Sequence, residues 1–251
     1  MTRPVDAALS RDDYEAQWRA LGDFIRLNPG ARHRRRLTLR MLDGIAADSV
    51  LDAGCGPGEL LLSLRGARGG IGRFVGADMA TETLARNRRA MPWAEFVELD
   101  LVAGPLPEAF DLVLCCEVLE HVSERARAFA NLAAMVRPGG ALLVSCPTGV
   151  VYETERRFGH VSHPDADELE ALGRACGLET LRSLDWGWPF YRALKWATNL
   201  DPDWSVRHFG SGSYSAPGRW LNHLLYAVNF LNIGSKSGCQ LFRLYRKPGA
   251  P

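Results

Sequence analysis

Polar Ser10, Asp12 and Asp13 precede apolar Tyr14, Trp18, Leu21, Phe24 and Ile25, whose spacing of three and four lays one stripe along a helix that Ser10 can cap. The pattern breaks at Asn28-Pro29-Gly30. It resumes in a second helix over residues 31 to about 46, where Leu37, Leu39, Met41 and Leu42 stand beside Arg32, His33, Arg34, Arg35, Arg36 and Arg40. From Val50 the rhythm changes to short apolar runs at 50–53, 73–78, 95–101, 110–116 and 136–145, separated by helical stretches. That alternation predicts a mostly parallel sheet covered by helices on both faces. Right-handed crossovers bring the carboxyl ends of its strands to one edge, where ligands bind in such sheets. A helix over 165–176, a strand over 178–184 and a last strand over 240–246 complete the pattern.

The first strand runs into Asp52-Ala53-Gly54-Cys55-Gly56-Pro57-Gly58, with glycine at every second position. Glycine lets backbone lie close against a ligand and adopts positive φ cheaply, so a nucleotide-like cofactor is the first expectation. A dinucleotide turn needs Gly-x-Gly-x-x-Gly. Here the third position falls on Glu59 in one register and Leu61 in the other, which disfavours an NAD oxidoreductase.

Acids at the ends of the next strands narrow the reading. The second strand ends in Asp78, 20 residues beyond Gly58, where a carboxylate can accept ribose hydroxyls. The third ends at Asp100-Leu101, the fourth at Cys116-Glu117 followed by Val118-Leu119-Glu120-His121, and Arg137-Pro138-Gly139-Gly140 turns into the fifth. Singly, Asp78 and Asp100 also suit helix capping and Pro138-Gly139 a plain turn. In this order the five motifs resemble the class I S-adenosylmethionine-dependent methyltransferases, of the ubiquinone/menaquinone-biosynthesis type that acts on small molecules. The resemblance covers residues 49–185.

It implies an α/β, Rossmann-like, doubly wound, seven-stranded sheet with an antiparallel last strand. The expected organisation is an N-terminal helical cap over 1–48, a cofactor-binding core over 49–185 and 238–247, and an aromatic-rich lid inserted at 186–237. The implied cofactor is S-adenosylmethionine, with Asp52, Ala53, Gly54, Cys55, Gly56 and Gly58 around its methionyl part and Asp78 and Met79 at the ribose. Asp100 and Leu101 fall at the adenine, and Cys116, Glu117 and His121 at the methionyl end facing substrate.

The insertion holds Trp186, Trp188, Trp196, Trp204 and Trp220, five of the seven tryptophans, with Phe190, Tyr191, Phe209, Tyr214, Tyr226 and Phe230. Such a lid suits an aromatic, prenyl or steroid-like substrate, and equally well a small subdomain that needs its own core. Residues 220–233 form an apolar helix interrupted by asparagines, able to touch a membrane surface without crossing it. The arginine-rich second helix reads as a solvated face, or as a contact for a phosphate or a carrier-protein helix.

Composition sets outer bounds. The 251 residues carry 30 basic and 29 acidic side chains, so no overall field steers the chain to nucleic acid. The first residues carry no apolar signal core and no 18-residue apolar run appears, so a cytoplasmic location is expected, and the six cysteines, without a Cys-x-x-Cys pair, read as reduced core residues.

Methyl transfer to an oxygen, nitrogen or carbon acceptor needs alignment above all, and an alcohol or phenol gains from a base. The candidates are His160 first, then His163, Glu117 and Tyr152. The loop around His160 and His163 resembles substrate-side loops of ubiquinone-type and cell-surface-sugar methyltransferases. Glu117, Glu120, His121 and a later histidine also resemble the metal ligands of small-RNA-terminus 2′-O-methyltransferases. Since Glu-Val-Leu-Glu-His is widespread in metal-free relatives, no metal is expected; the aromatic lid and balanced charge weigh against a nucleic-acid partner, which leaves a metal-assisted RNA 2′-O-methyltransferase as a lesser alternative. A non-catalytic cofactor-binding assembly or regulatory partner is the alternative of a different class.

Overall fold

The structure, a computed structural model, describes residues 10–210 and 212–249; Phe209, one of the lid aromatics, has its side chain outside the described ones. Three helices, α1 (Arg11–Ala20), α2 (Gly22–Leu27) and α3 (Pro29–Met41), precede β1 (Ser49–Ala53). Then α4 (Glu59–Ala67), β2 (Arg73–Asp78), α5 (Thr81–Ala90), β3 (Glu95–Glu98), β4 (Phe110–Cys116), α6 (Arg125–Ala134) and β5 (Val136–Pro147) follow in alternation. The chain continues through α7 (Glu153–Arg157), α8 (Ala166–Ala175), β6 (Glu179–Trp188), α9 (Phe190–Thr198), α10 (Pro202–Phe209), α11 (Ala216–Val228), β7 (Ile233–Gly234) and β8 (Gln240–Arg246).

The sheet order is β3-β2-β1-β4-β5-β8-β6-β7, with β8 antiparallel to both β5 and β6. Strand order reverses between β1 and β4, the switch point at which doubly wound sheets bind ligands. Central strands β1 and β4 are buried along most of their length because helices cover both faces. One core layer gathers Leu51, Val75, Val113, Phe129, Leu142 and Tyr245, the other Leu42, Val50, Leu61, Phe74, Leu112 and Phe242.

The sheet has eight strands where seven were expected. The extra one, β7, is two residues long and pairs with Trp186 and Trp188 as the 186–237 insertion returns to the sheet. Accordingly β6 runs to Trp188, so the insertion's first residues are strand.

The expected first helix is divided at Leu21. The Gly212 carbonyl takes the Asp23 amide at 2.9 Å, while the Asp23 carboxylate accepts from the Tyr214 amide at 2.8 Å. The following helix starts at Pro29, capped by Asn28 Oδ1 on the Ala31 amide, and stops at Met41 instead of about 46. Glu15, buried on α1, accepts from the amides of Glu82 and Thr83 at 2.6 and 3.2 Å. It thereby caps the N-terminus of α5, where an anion is favoured, and docks α1 across the sheet edge. Among the described residues, no helix is long and apolar enough to cross a membrane.

Candidate active site

The turn after β1 is fastened by the Gly54 and Cys55 amides, both donating to the Ala77 carbonyl at 2.7 and 2.9 Å. Gly54, Gly56 and Gly58 have φ of 82°, 47° and 83°, the left-handed region that glycine occupies without penalty. Space is as restrictive as φ. A Cβ on Gly54 would lie 2.3 Å from Val118 Cγ2, and one on Gly56 2.9 Å from the Trp18 ring.

Asp78, at the end of β2, accepts from the Gly56 amide at 2.8 Å and the Ala80 amide at 2.9 Å. Burial pushes its carboxyl upward against those amides. Asp52 beneath the turn is buried with Oδ2 unpartnered. Burial first, and the Asp78 charge second, push it up to about 7. Asp100, past the end of β3, is exposed, and its Oδ1 accepts from the Val102 amide at 2.8 Å.

A cavity of about 500 Å³ opens at this edge. Gly54, Asp78, Met79, Asp100, Leu101, Glu117, His121 and His160 all line it, whereas Asp52, Ala53, Cys55, Gly56, Gly58, Cys116, Tyr152 and His163 do not. Cys116 instead sets its sulfur 4.0 Å from Thr38 Oγ1, and burial pushes the thiol up to about 12.

The apolar wall comes from elsewhere than expected. Tyr14, Trp18, Leu21 and Phe24 from α1 and α2 line it with Phe158, which stacks on Phe24 at 5.7 Å. Among the described residues no insertion tryptophan lines the cavity. Trp186 is buried against His33, and Trp188, Trp196, Trp204 and Trp220 face outward, which corrects the picture of a tryptophan lid gripping substrate. The roof is made by Tyr191, Leu194, Lys195, Thr198, Val206 and Leu225.

Glu117 anchors the polar end with φ of +61°, a conformation that costs a non-glycine residue energy and marks functional sites. Its Oε1 accepts from Ser145 Oγ at 3.0 Å and Gln240 Nε2 at 2.6 Å, and its Oε2 lies 3.0 Å from Arg34 Nε. Arg34 also donates to the Tyr191 hydroxyl at 2.7 Å, and the Glu117 charge holds its guanidinium protonated despite burial. Arg34 is therefore neither solvated nor free for a phosphate, while Arg40 on the same helix is exposed. Arg32 and Arg36 lie 3.8 and 4.3 Å over the rings of Tyr226 and Phe230 and clamp the insertion.

Three imidazoles cluster beyond Glu117. The His121 and His160 rings are 4.7 Å apart, and His160 Nδ1 lies 2.9 Å from His163 Nε2. Burial lowers all three, helped by neighbouring histidine charge at His121 and His160 and by Lys195 and Arg125 at His163, which brings His121 and His163 to about 4 and His160 further, so the rings are neutral near pH 7. Glu155 meets Lys195 at 2.6 Å beside them, and Tyr152 donates its backbone amide to Glu155 at 2.9 Å and accepts the Glu155 amide at 3.0 Å. Trp18, Gln240, Tyr191, Lys195 and Glu155 were not singled out for chemistry in the sequence, because each reaches the site only through tertiary packing.

The fit to S-adenosylmethionine rests on this inventory: a glycine turn without Cβ atoms whose Gly54 lines the cavity, two buried acids under it, and a third acid at the cavity rim. Residues 51–144 match the methyltransferase domain family. A probable S-adenosylmethionine-dependent methyltransferase of Mycolicibacterium smegmatis is 31% identical over 148 residues, 56% of this chain and 55% of that one. A ubiquinone biosynthesis O-methyltransferase of Aliivibrio fischeri is 33% identical over 148 residues, 57% of this chain and 62% of that one. The chain thus spans little more than half the length of these curated relatives. The N-methyltransferase NodS of Bradyrhizobium japonicum, solved with S-adenosyl-L-homocysteine, shares the fold at TM-score 0.58 and 19% identity, over 94% of this chain and 98% of that one. Together, the glycine turn, the sheet order and these likenesses identify residues 51–144 as a methyltransferase domain with the fold of the class I S-adenosylmethionine-dependent methyltransferases.

Proposed function

We propose that the chain transfers a methyl group from S-adenosylmethionine to an oxygen, nitrogen or carbon nucleophile of a small or carrier-borne metabolite with an apolar or aromatic body. The observation that carries this is the continuity of the cavity. Its walls run from Gly54, Asp78 and Asp100 to Glu117 and His160 with Tyr14, Trp18, Phe24 and Phe158 between. When bound, the cofactor supplies an electrophilic methyl group, so the protein's task is orientation and exclusion of water.

Residues of the chain divide that task. The glycine-turn backbone, Asp52, Asp78 and Asp100 would hold the cofactor. Neutral His160 accepts a hydrogen bond from an acceptor hydroxyl and orients it, with His163 steadying the ring. The near balance of 30 basic and 29 acidic residues speaks against a nucleic-acid substrate.

Calorimetric titration with S-adenosylmethionine and, separately, NAD tests the cofactor. Micromolar binding of the first alone, weakened by Asp78→Ala, supports the reading, whereas preferential NAD binding overturns it. Transfer of labelled methyl groups into a pooled metabolite extract separates an enzyme from a cofactor-binding regulator. His160→Gln should lower turnover while leaving cofactor affinity unchanged.

A further inference from the structure

Helix α11 turns its apolar side to solvent. Pro217, Trp220, Leu224, Ala227 and Leu231, spaced three and four apart, run along its exposed side into the 3-10 turn Asn229–Leu231, with Trp220 70% and Leu231 62% exposed. Asn222 and Asn229, on the opposite side, are buried. Helix α9 repeats the inversion: Ala193, Trp196, Ala197 and Leu200 are exposed, while Leu194, Lys195 and Thr198 line the cavity. Trp188 faces Ile233 in register and the Tyr191 amide donates to Asn232 Oδ1 at 2.9 Å, so the two stripes meet at one corner where Trp188, Phe190 and Ile233 are exposed. Apolar residues scattered singly on a surface are ordinary, but a joined set of this extent marks a docking face.

Cations border the same corner. Arg192 donates to the Ser237 carbonyl at 2.8 Å, next to exposed Lys236. Phe230 and Gly234 also line a groove of about 650 Å³ together with Arg36 and Arg40 of α3 and Arg182 of β6. Asp43 is the one acid lining it among the described residues. Arg36 and Arg40 stand four residues apart, a repulsive spacing for like charges on a helix, and Arg40 has no ion-pair partner among the described residues. The groove is therefore short of negative charge.

We propose that this face docks on a bilayer containing anionic phospholipids, with both helix stripes and the Trp188–Ile233 corner entering the headgroup region and the arginine groove taking a lipid phosphate. Tryptophan suits that boundary because its ring is apolar and its N–H polar. The insertion carries five basic and two acidic residues, and both acids are engaged: Asp201 caps α10 through the Trp204 amide at 2.9 Å, and Asp203 pairs with Arg157 at 2.6 Å. A second copy of the chain seated here would set these cations against one another, whereas anionic lipids complement them. The inner sides of α9 and α11 roof the cavity, so docking sets that roof against lipid, where an acceptor with an apolar body concentrates. That consequence rests on the methyltransferase reading, and the docking does not.

The test mixes the full chain with vesicles of phosphatidylcholine, alone or with phosphatidylglycerol, and reads binding by co-sedimentation and by quenching of tryptophan fluorescence with brominated acyl chains. Expected are at least about tenfold tighter binding to the anionic vesicles, loss of that preference at high salt, and quenching on binding. Trp196→Ser with Trp220→Ser should weaken binding to the anionic vesicles at least about tenfold. Arg40→Gln with Arg182→Gln should cut the preference for phosphatidylglycerol about threefold or more. Arg40→Gln alone serves where the pair lowers the melting temperature. Absence of binding to anionic vesicles, or wild-type binding by the folded tryptophan variant, overturns the docking. A dimer in sedimentation that the tryptophan variant dissolves overturns it too, in favour of a second copy, as does stabilisation by inorganic phosphate through Arg40 without vesicle binding, in favour of a soluble anion. Titration of the same protein with S-adenosylmethionine keeps the two readings apart. Cofactor binding without vesicle binding sinks the docking alone, and vesicle binding without cofactor binding sinks the methyltransferase reading alone.

Discussion

Arg34 and Glu117 form an ion pair, Nε to Oε2 at 3.0 Å, that ties α3 to the end of β4 across the floor of the cavity. Both side chains are about a quarter exposed, so the pair is worth less than a fully buried one. Arg34→Met leaves the Glu117 charge short of its cation and should destabilise the chain by about 1 to 3 kcal/mol in urea unfolding. Adding Glu117→Gln removes the stranded charge and should recover part of that loss. Equal, additive losses in the two single variants would show that the contact contributes nothing.

Gly54 is constrained twice, by φ of +82° and by Val118 at 2.3 Å from any added Cβ. Gly54→Ala should therefore cost about 1 to 2 kcal/mol for the backbone and a similar amount for the clash, and weaken cofactor binding about tenfold or more. Gly54→Ala with Val118→Ala should regain stability but not affinity, because the turn's conformation stays penalised. Recovery of affinity in the double variant would mean that sterics alone govern the turn.

How far the sequence carries depends on how local each signal is. The glycine turn, Asp78 and the alternation over 50–145 are visible because strands, turns and crossover helices are specified by neighbouring residues. Glu117, His121 and His160 were candidates from motif and loop alone, and the cavity gathers them. Arg34 and the insertion tryptophans could not be read the same way. Whether an arginine on an amphipathic helix meets water or a half-buried glutamate depends on which element covers it, and here that element is the insertion. Aromatic content likewise says how much apolar area a segment has, not which side faces inward, and four of the five tryptophans face out.

Asp52 predicts a pH signature for cofactor binding. Its pKa of about 7 is raised by burial and Asp78, with the Cys55, Cys115 and Cys116 thiols, all pushed up, as its other titratable neighbours. A cationic cofactor settling on the turn favours the ionised form, so binding below pH 7 must expel the proton. Affinity should rise with pH to about 7 and flatten above it. Calorimetry at pH 6 in two buffers of different ionisation heat should show up to about one proton released, and close to none at pH 8. Asp52→Asn should abolish the difference; its persistence would assign the proton to Asp78.

His33 gives the corresponding signature for stability. It lies buried on α3, stacked 4.6 Å from Trp186 and edge-on to Phe230 at 5.0 Å, where burial first and Arg36 and Arg40 next lower it to about 4. Because the folded value lies below the unfolded one of about 6.5, the ring's contribution is complete above pH 6.5 and is lost as the pH falls toward 4. His121 and His163 titrate in the same window, so the loss at His33 must be isolated by substitution. His33→Phe keeps the aromatic stack and removes the titration. Its stability at pH 7.5 should stay within about 1 kcal/mol of wild type, and the decline between pH 6.5 and 4.5 should be shallower. An unchanged slope would show that the clamp between α3 and the insertion does not sense protonation at His33.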